Sequence, residues 1–446
     1  MFKRVIIIMA INILSISIFL NEVFMVNNII FLILNLLLFL MFILLNIIPI
    51  KKNVDSIGIY VLSSGCSLLR TFLLSLFVTI LIHIFIVFCI VFFDISISYY
   101  TFASGVGFAI IGNVIIFWNG IIRVYLTSVQ LGINKRILGI ILGWILGFNI
   151  YYLGSIIKTC ENEVELETQK LELNQVRVEN EICKTKYPIV MVHGVFFRDF
   201  RYLNYWGRIP QELIRNGATI YYGNQESAAS VEECGLQLSN RIKEITNETG
   251  CEKVNIIAHS KGGLDSRTAI SNFGAAPYVA SLTTINTPHY GCIFSEFLLN
   301  KISKKSMNML AVAYNTALKK FGDKSPDFIA AATDLSKSVC EDRNKKVLNA
   351  EGILYESVMS YCNSAVSGKF PLNLSYSFVK YFDGKNDGLV SVESAKWGSR
   401  FILLDPHGKR GISHGDMIDL NRENIKGFDV REFYVELING LKMRGY

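Results

Sequence analysis

The sequence predicts an α/β domain with a mostly parallel sheet and a helical insertion, preceded by an all-α bundle of transmembrane helices. Three observations predict this architecture. Long uncharged apolar runs are confined to the first 160 residues, short apolar runs alternate with amphipathic stretches after residue 187, and residues 253–267 form a strand–turn–helix pattern with a serine at the turn. A chain of 446 residues is long enough for two or three domains.

Charge is divided unevenly along the chain. The first 160 residues carry nine basic and three acidic side chains, whereas the remainder carries 35 and 34. The net charge of +7 therefore belongs mainly to the apolar region, and it does not indicate a nucleic-acid partner. The nine cysteines lack the paired spacing of zinc sites. They leave one disulfide possible without identifying its pair.

Five apolar runs predict the transmembrane region, which we place at residues 1–160. The runs cover 5–21, 23–50, 71–93, 95–122 and 137–157. Four of them have at least 21 residues, enough to cross a hydrocarbon core of ~30 Å. The first run is shorter, so a signal peptide is the competing interpretation. No cleavage site with small residues separates it from the second run, which favours a helical hairpin.

The charges between these runs predict the orientation. Basic residues precede the first run, follow the second and follow the fourth, whereas acidic residues follow the first and the third. If the basic loops are cytoplasmic, five helices cross the cell membrane as a multi-pass anchor and the C-terminal domain is extracytoplasmic. The alternative is four crossings, with the first run lying in the interface. We expect the region to serve for anchoring and helix packing.

The rest of the chain divides into a charged linker at 161–186 and an α/β domain at 187–446. The linker is interpreted as a solvated spacer, with a juxtamembrane helix or a pair of edge strands as alternatives. Alternating strands and helices predict a parallel sheet, with a mostly helical insertion at about 294–350. The predicted strands are 189–192, 218–222, 254–258, 279–285, 376–382 and 401–404.

Residues 253–267 predict a nucleophile elbow. An apolar strand stops at Ser260, and a segment compatible with a helix follows. Ala258 and Gly262 flank the serine at the two positions where a larger side chain would clash in so tight a turn. The pattern is A-x-S-x-G, with alanine where glycine is usual. By itself it also fits an ordinary strand–turn–helix.

A nucleophilic serine needs a general base, and the chain order Ser, acid, His restricts the choice. Of the six histidines only His407 and His414 follow Ser260 at a suitable distance along the chain. His414 is preferred because it lies in a Gly-Ile-Ser-His-Gly-Asp loop before an amphipathic stretch. The acid should lie in a loop that follows a strand between the serine and this histidine. The loop after the predicted strand 376–382 offers Asp383 and Asp387, both in a glycine-containing turn. The turn into an apolar segment favours Asp387.

The oxyanion of an acyl-transfer reaction needs two backbone N–H groups. One is predicted from Lys261, directly after the serine. The other is predicted from Val195, in the turn after the first strand, with Phe196 as the second choice.

These motifs together resemble the bacterial triacylglycerol lipase family of the α/β-hydrolase fold. The resemblance rests on Tyr-Pro-Ile-Val-Met-Val-His-Gly-Val, the elbow, Thr-Pro-His-Tyr-Gly, Asn-Asp-Gly-Leu-Val and His-Gly-Asp, in this order. It covers nearly all of residues 187–446 and none of residues 1–160. It implies a Ser260–Asp387–His414 triad, a lid within the insertion and carboxylic esters of lipids as substrates.

The resemblance also bears on metal binding. The family's structural calcium uses an aspartate two residues after the histidine, which Asp416 matches. A second aspartate normally precedes the acid, but no Asp or Glu occurs from 363 to 382. The chemistry itself requires no cofactor. Asp416 could instead cap the helix that follows.

The sequence therefore predicts a membrane-anchored lipase or esterase that works through an acyl-enzyme at a bilayer. Two alternatives remain open at this point. One is a lipid acyltransferase or phospholipase with the same triad, and the other is a catalytically silent membrane binding module.

Overall fold

A computed structural model describes residues 2–24, 28–47, 56–145, 147–195, 204–320, 322–368, 372–405 and 410–446. The chain divides into two compact units, Met1–Leu173 and Asn174–Tyr446. The prediction for His407 and the second-choice oxyanion donor Phe196 lie outside the described residues.

The first unit is helical. Its elements are α1 (Phe2–Phe24), α2 (Asn28–Ile47), α3 (Ile57–Phe92), α4 (Tyr99–Thr127), α5 (Gly132–Leu142) and the first part of α6 (Phe148–Arg177). In the part of the chain that the structure describes, four helices, α1 to α4, are long and apolar enough to cross a membrane. The fifth apolar run is divided between α5 and α6. Gly147, at φ +84° before α6, takes a backbone conformation that glycine adopts more readily than other residues.

Most of the predicted linker, residues 161–177, continues α6 as a helix, whereas the sequence favoured a solvated spacer. Glu163, near the middle of α6, is buried and accepts hydrogen bonds from the Ser128 hydroxyl at 2.6 Å and the Val129 N–H at 2.8 Å. A carboxylate that satisfies backbone donors at a loop ties that loop to the helix. Interactions within the fold therefore order a segment whose composition alone suggests a spacer.

Close packing between helices of the first unit depends on small residues. A Cβ added to Gly105 would lie 2.8 Å from the Ser15 carbonyl oxygen, and one added to Gly112 would lie 3.0 Å from the Ile11 side chain. His83 lies between Ser15, at 3.1 Å from Nε2, and the Thr79 carbonyl, at 2.8 Å from Nδ1. His83 is thus a hydrogen-bonded packing residue, as expected for a polar group among apolar helices.

The second unit contains a six-stranded, fully parallel sheet in the order β2-β1-β3-β4-β5-β6. The strands are β1 (Ile189–Val192), β2 (Ile220–Tyr222), β3 (Val254–His259), β4 (Val279–Ile285), β5 (Leu354–Met359) and β6 (Arg400–Leu403). The helices that complete the unit are α7 (Ile209–Arg215), α8 (Val231–Thr249), α9 (Lys261–Asn272), α10 (Ile293–Lys301), α11 (Lys304–Lys320), α12 (Phe328–Thr333), α13 (Lys337–Lys346), α14 (Leu372–Asp383) and α15 (Val430–Met443).

Two apolar cores cover the two faces of this sheet. On β1, Ile189 and Met191 pack into one core with Trp206 and Tyr434, whereas Val190 and Val192 pack into the other. Successive side chains of a strand point to opposite faces, so a strand covered on both sides is apolar throughout. This burial explains why the parallel strands were recognisable as continuous apolar runs.

Two strand assignments differ from the sequence prediction. Residues 376–382 were predicted as a strand but belong to helix α14, because Tyr376 and Val379 are buried at helical spacing. Strand β5, between β4 and β6, was not predicted. The insertion before it is helical as expected, since α10 to α13 occupy most of residues 294–350.

Candidate active site

Ser260 occupies a sharp turn between β3 and α9. Its backbone lies at φ 55° and ψ −130°, a conformation that non-glycine residues rarely adopt. The Ser260 N–H donates to the Ile285 carbonyl at 2.9 Å, and the Thr287 hydroxyl donates to the Ser260 carbonyl at 2.8 Å. These bonds from the end of β4 hold the strained residue in place, while its side chain stays partly exposed.

The small residues around Ser260 have a steric reason. A Cβ on Gly262 would overlap the His193 carbonyl oxygen and lie 2.9 Å from the Val192 carbonyl oxygen. A Cβ on Gly194 would lie 2.8 Å from the Ser260 Cβ. The elbow and the turn after β1 therefore approach each other more closely than side chains would permit. Such an approach brings the predicted oxyanion donors, the N–H groups of Val195 and Lys261, near the serine.

Asp387 and His414 are brought together from loops 27 residues apart. His414 Nδ1 lies 2.7 Å from Asp387 Oδ2, and the His414 N–H donates to the Asp387 carbonyl at 2.9 Å. Both side chains are buried. A carboxylate at Nδ1 holds the proton on that nitrogen and leaves Nε2 to accept a proton from a nucleophile.

Three further donors hold the Asp387 carboxylate. Oδ1 accepts the N–H groups of Leu389 at 2.9 Å and Val390 at 2.8 Å, and Oδ2 also accepts the Asn286 side-chain amide at 2.6 Å. Hydrogen bonds of this kind stabilise the ionised form of a buried carboxylate. Sequence reasoning missed Asn286, which follows β4 at the edge where the parallel strands end. Its position in Thr-Ile-Asn-Thr-Pro-His was the available signal.

The alternative acid, Asp383, has a different place. Its carboxylate accepts the N–H groups of Ile293 and Phe294, each at 3.3 Å, and therefore holds the start of α10. The geometry thus distinguishes the two aspartates of one turn, since only Asp387 contacts His414.

His414 lies against the residue that precedes the serine. The rings of His259 and His414 are 4.4 Å apart between centroids. Burial and the neighbouring His414 lower the pKa of His259 well below its usual value, so His259 is neutral near pH 7. The Tyr205 hydroxyl lies 2.7 Å from His259 Nδ1. Tyr205 and His259 were not predicted as site residues. His259 packs against the base, His414, and Tyr205 in turn contacts His259 beside the elbow.

Lys261 has a buried side chain although it follows the nucleophile. Its Nζ lies 2.7 Å from Asp265 Oδ1, and both side chains are almost wholly buried. Burial raises the pKa of Asp265 to about 6, against the opposing effect of Lys261. The ion pair joins two residues of the first turn of α9. Because the ammonium group of Lys261 is engaged by Asp265, only the backbone N–H of Lys261 is a candidate for contact with substrate.

Asp416 does not have the surroundings expected of a calcium ligand. Its Oδ2 lies 3.0 Å from Arg410 Nη1 and accepts the Ser413 N–H at 2.8 Å and the Ser413 hydroxyl at 2.7 Å. A guanidinium group occupies the direction from which a cation would approach. Nowhere in the described part of the chain do three His, Cys, Asp or Glu side chains gather as a metal site. The donor set does not fit calcium.

All nine cysteines are free thiols. The disulfide that the sequence left possible is therefore not formed in this structure.

The comparisons with known proteins concern the second unit. Residues 185–359 match the family described as "Putative serine esterase (DUF676)". The triacylglycerol lipase of Pseudarthrobacter phenanthrenivorans is 34% identical over 143 residues, which are 31% of this chain and 44% of that protein. Triacylglycerol lipase 2 of Saccharomyces cerevisiae is 27% identical over 266 residues, which are 55% of this chain and 75% of that protein.

Solved structures are similar to more than half of the chain. The Staphylococcus hyicus lipase is 19% identical, with a TM-score of 0.46, and the match covers 58% of this chain and 96% of that one. The mature Bacillus licheniformis lipase BlEst2 is 22% identical, with a TM-score of 0.43, and the match covers 57% and 92%. The chain spans less than half the length of two of the bacterial triacylglycerol lipases that it matches, 44% and 39%. Residues 185–359 are accordingly similar to serine esterases and triacylglycerol lipases, and they lie on a parallel sheet of the α/β-hydrolase fold.

Proposed function

We propose that this chain is a membrane-anchored serine hydrolase that cleaves carboxylic esters of lipids. One observation carries the proposal most directly. The buried Asp387–His414 pair lies against the strand end that presents Ser260 at a strained turn. A nucleophile, a base and an orienting acid in this chain order are the parts of a Ser–His–Asp mechanism.

The proposed reaction proceeds through an acyl-enzyme. Ser260 Oγ attacks the ester carbonyl carbon while His414 Nε2 accepts the hydroxyl proton, and Asp387 stabilises the resulting imidazolium. The N–H groups of Val195 and Lys261 bind the oxygen that becomes negative. His414 then gives the proton to the departing alcohol. Water, deprotonated by His414, attacks the acyl carbon, and its proton returns to Ser260 Oγ as the acid leaves.

A lipid substrate is supported by two independent features. The relatives are named as triacylglycerol lipases, and four helices of the chain are long and apolar enough to cross a bilayer. A catalytic unit tethered to a membrane meets lipid esters at high effective concentration. The alternation of loop charges favours a cytoplasmic N-terminus and, if residues 137–157 also cross, a catalytic unit outside.

Covalent labelling tests the nucleophile. A fluorophosphonate probe should label the purified full-length chain and fail to label Ser260→Ala. Esters of graded acyl length, assayed with the same pair of proteins, then define the substrate. Equal labelling or equal ester hydrolysis by the two proteins would refute the proposal, and an absence of labelling in both would restore the silent binding module.

The acyltransferase or phospholipase alternative uses the same residues. An acyltransferase is distinguished by its products, because an acceptor alcohol would be acylated in place of water. A phospholipase also uses water and is distinguished by its substrate, an ester of a phospholipid. A product assay with and without a lipid alcohol should yield free fatty acid in both conditions if the enzyme is a hydrolase.

A further inference from the structure

Helices α10 and α14 present aromatic side chains to solvent beside the proposed active site. We use the name aromatic patch for the exposed side chains Phe297, Leu374, Phe378 and Tyr381. Phe378 and Tyr381 are 56% and 84% exposed. Their exposure is notable because the same helices bury other apolar side chains in the fold.

The spacing on α14 makes the patch a continuous stripe. Leu374, Phe378 and Tyr381 stand four and three residues apart, so they share one helix face, while Tyr376 and Val379 fill the buried face. An ordinary surface helix places polar residues on its outer face. Here the outer face carries three large hydrophobic side chains and one serine, Ser377.

The two helices are joined by aromatic contacts below the patch. Phe294 of α10 stacks on Phe378 with ring centroids 5.4 Å apart and planes 12° apart. The ring of Phe382 lies 4.9 Å from that of Phe297 of α10 and 5.0 Å from that of Tyr381. These contacts give the patch a rigid base, so its exposed rings are held in place and do not collapse into the fold.

Basic groups border the patch, and its acidic groups are engaged elsewhere. Lys301 lies 5.8 Å from the Phe297 ring and Lys380 lies 5.7 Å from the Tyr376 ring, and both lysines are exposed. The two helices carry one carboxylate each. Glu296 accepts the Ser338 N–H, and Asp383 accepts the first N–H groups of α10. The four charges of the two helices balance, but the two exposed charged side chains are both lysines, whereas Glu296 and Asp383 are partly buried.

The patch is also connected to the acid loop of the site. The Ser375 hydroxyl donates to the Gly388 carbonyl at 2.6 Å, and the Asn386 amide donates to the Tyr376 carbonyl at 3.4 Å. Asp387 lies between these two loop residues. Helix α14 therefore contacts the loop that holds Asp387 directly, and a ligand on its outer face would be separated from the Asp387–His414 pair only by this helix.

We propose that the aromatic patch is a docking surface for a bilayer that contains anionic phospholipid. Aromatic rings with flanking lysines suit the boundary between headgroups and acyl chains, where the rings are buried and the ammonium groups meet phosphate. The four apolar helices of the same chain favour a lipid surface over a soluble protein as the occupant. The inference rests on the proposed function, because it supplies the surface from which that site would take its substrate.

Photocrosslinking tests this contact without relying on catalysis. The full-length Ser260→Ala protein is reconstituted into bilayers of phosphatidylcholine alone or of phosphatidylcholine with phosphatidylglycerol, each with a trace of a phospholipid that has a diazirine in its acyl chain. After illumination, mass spectrometry should find lipid adducts on the peptides of 293–301 and 372–383. We expect these adducts to increase severalfold when phosphatidylglycerol is present.

Two variants complete the test. Phe378→Ser with Tyr381→Ser should lower the adducts on both peptides roughly tenfold, because two large rings lose their burial in lipid. Met443→Ser, an equally exposed apolar residue on α15, should leave them unchanged. Adducts confined to α1–α4 in both bilayers would overturn the docking surface. If the patch is labelled but wild type hydrolyses no ester, the docking surface stands and the proposed function fails.

Discussion

At the scale of single residues, the geometry of the site depends on how many hydrogen bonds fix the orientation of each side chain. The Asp387 carboxylate accepts hydrogen bonds from His414, Asn286 and two backbone N–H groups, so it has little freedom to turn away from the imidazole. Asp383, four residues earlier, uses its carboxylate on α10. Two aspartates of one turn thus have separate tasks, and exchanging each for asparagine separates these tasks experimentally.

Asp387→Asn should lower kcat/KM about 10³- to 10⁴-fold, because the amide does not stabilise the imidazolium and favours the wrong tautomer of His414. Asp383→Asn is the matched control. It should keep most of the activity and lose thermal stability, since the N–H groups at the start of α10 lose a charged acceptor. Ester hydrolysis and thermal unfolding of the three proteins provide the measurement. Equal losses of activity would contradict the assignment.

The buried Lys261–Asp265 pair allows a test of electrostatics beside the nucleophile. Lys261→Met leaves a buried carboxylate without its partner and should destabilise the protein by about 3–5 kcal/mol. Lys261→Met combined with Asp265→Leu removes both charges and should recover most of that loss. Chemical denaturation of both variants measures the difference. If the double variant is less stable than the single one, the pair contributes net stability that burial does not cancel.

The same pair predicts a dependence on pH. The folded-state pKa of Asp265 is raised from 3.8 to about 6, so the folded chain holds this proton more tightly than the unfolded chain. The contribution of Asp265 to stability is therefore full below about pH 4 and is lost as pH rises through about 6. The unfolding free energy of wild type, relative to the double variant, should fall across this window. A constant difference would contradict the raised pKa.

At the scale of elements, the elbow works because two segments approach without side chains between them. Gly262 and Gly194 provide this approach, while the strained Ser260 is held by hydrogen bonds from the end of β4. Helix α14 illustrates the opposite situation. Apolar and polar residues alternate in its sequence well enough to resemble a strand. Packing against α10 and the acid loop nevertheless favours a helix. The resemblance to a strand arises because the outer face of the helix is also apolar.

Gly262→Ala tests the close approach. In an ordinary helix this change would stabilise the chain by about 1 kcal/mol. Here we expect it to destabilise the second unit by about 1–3 kcal/mol and to lower activity, because the new methyl group meets the carbonyl groups of His193 and Val192. Gly440→Ala in α15, where a Cβ meets nothing within 4 Å, is the control and should stabilise by about 0.4–1 kcal/mol. Changes of the same sign in both variants would contradict the steric account.

At the scale of the whole molecule, the chain combines an apolar helical unit with an α/β unit that contains the segment similar to serine esterases. Four helices meet the length and composition of membrane spans in the described residues, and the run at 137–157 is broken between α5 and α6. The side of the membrane on which hydrolysis occurs depends on this run. With five crossings the catalytic unit is outside, and with four it is on the same side as the N-terminus.

A fluorophosphonate probe that does not cross membranes tests the location. Following the charge pattern, we expect Ser260 to be labelled in intact spheroplasts as strongly as in lysed ones. Ser260→Ala controls for other serine hydrolases. Labelling that appears only after lysis would place the catalytic unit in the cytoplasm and would indicate four crossings.

The sequence by itself determined the parallel α/β class and the apolar character of the first 160 residues, and it predicted Ser260, Asp387 and His414 as site residues. These features rest on local signals, namely long apolar runs, alternating patterns and short motifs whose chain order is restrictive. Five of the six strands were recognised within two residues at their ends, because a strand covered on both faces must be apolar.

Only the tertiary structure decided which groups meet. It joined Asn286 and Tyr205 to the site, distinguished Asp387 from Asp383, paired Asp416 with Arg410 and folded most of the linker as part of α6. It also changed 376–382 from a strand into a helix and revealed the aromatic patch. These outcomes depend on contacts between residues far apart in the chain, and neither residue type nor periodicity records which partner a polar group will find once it is buried.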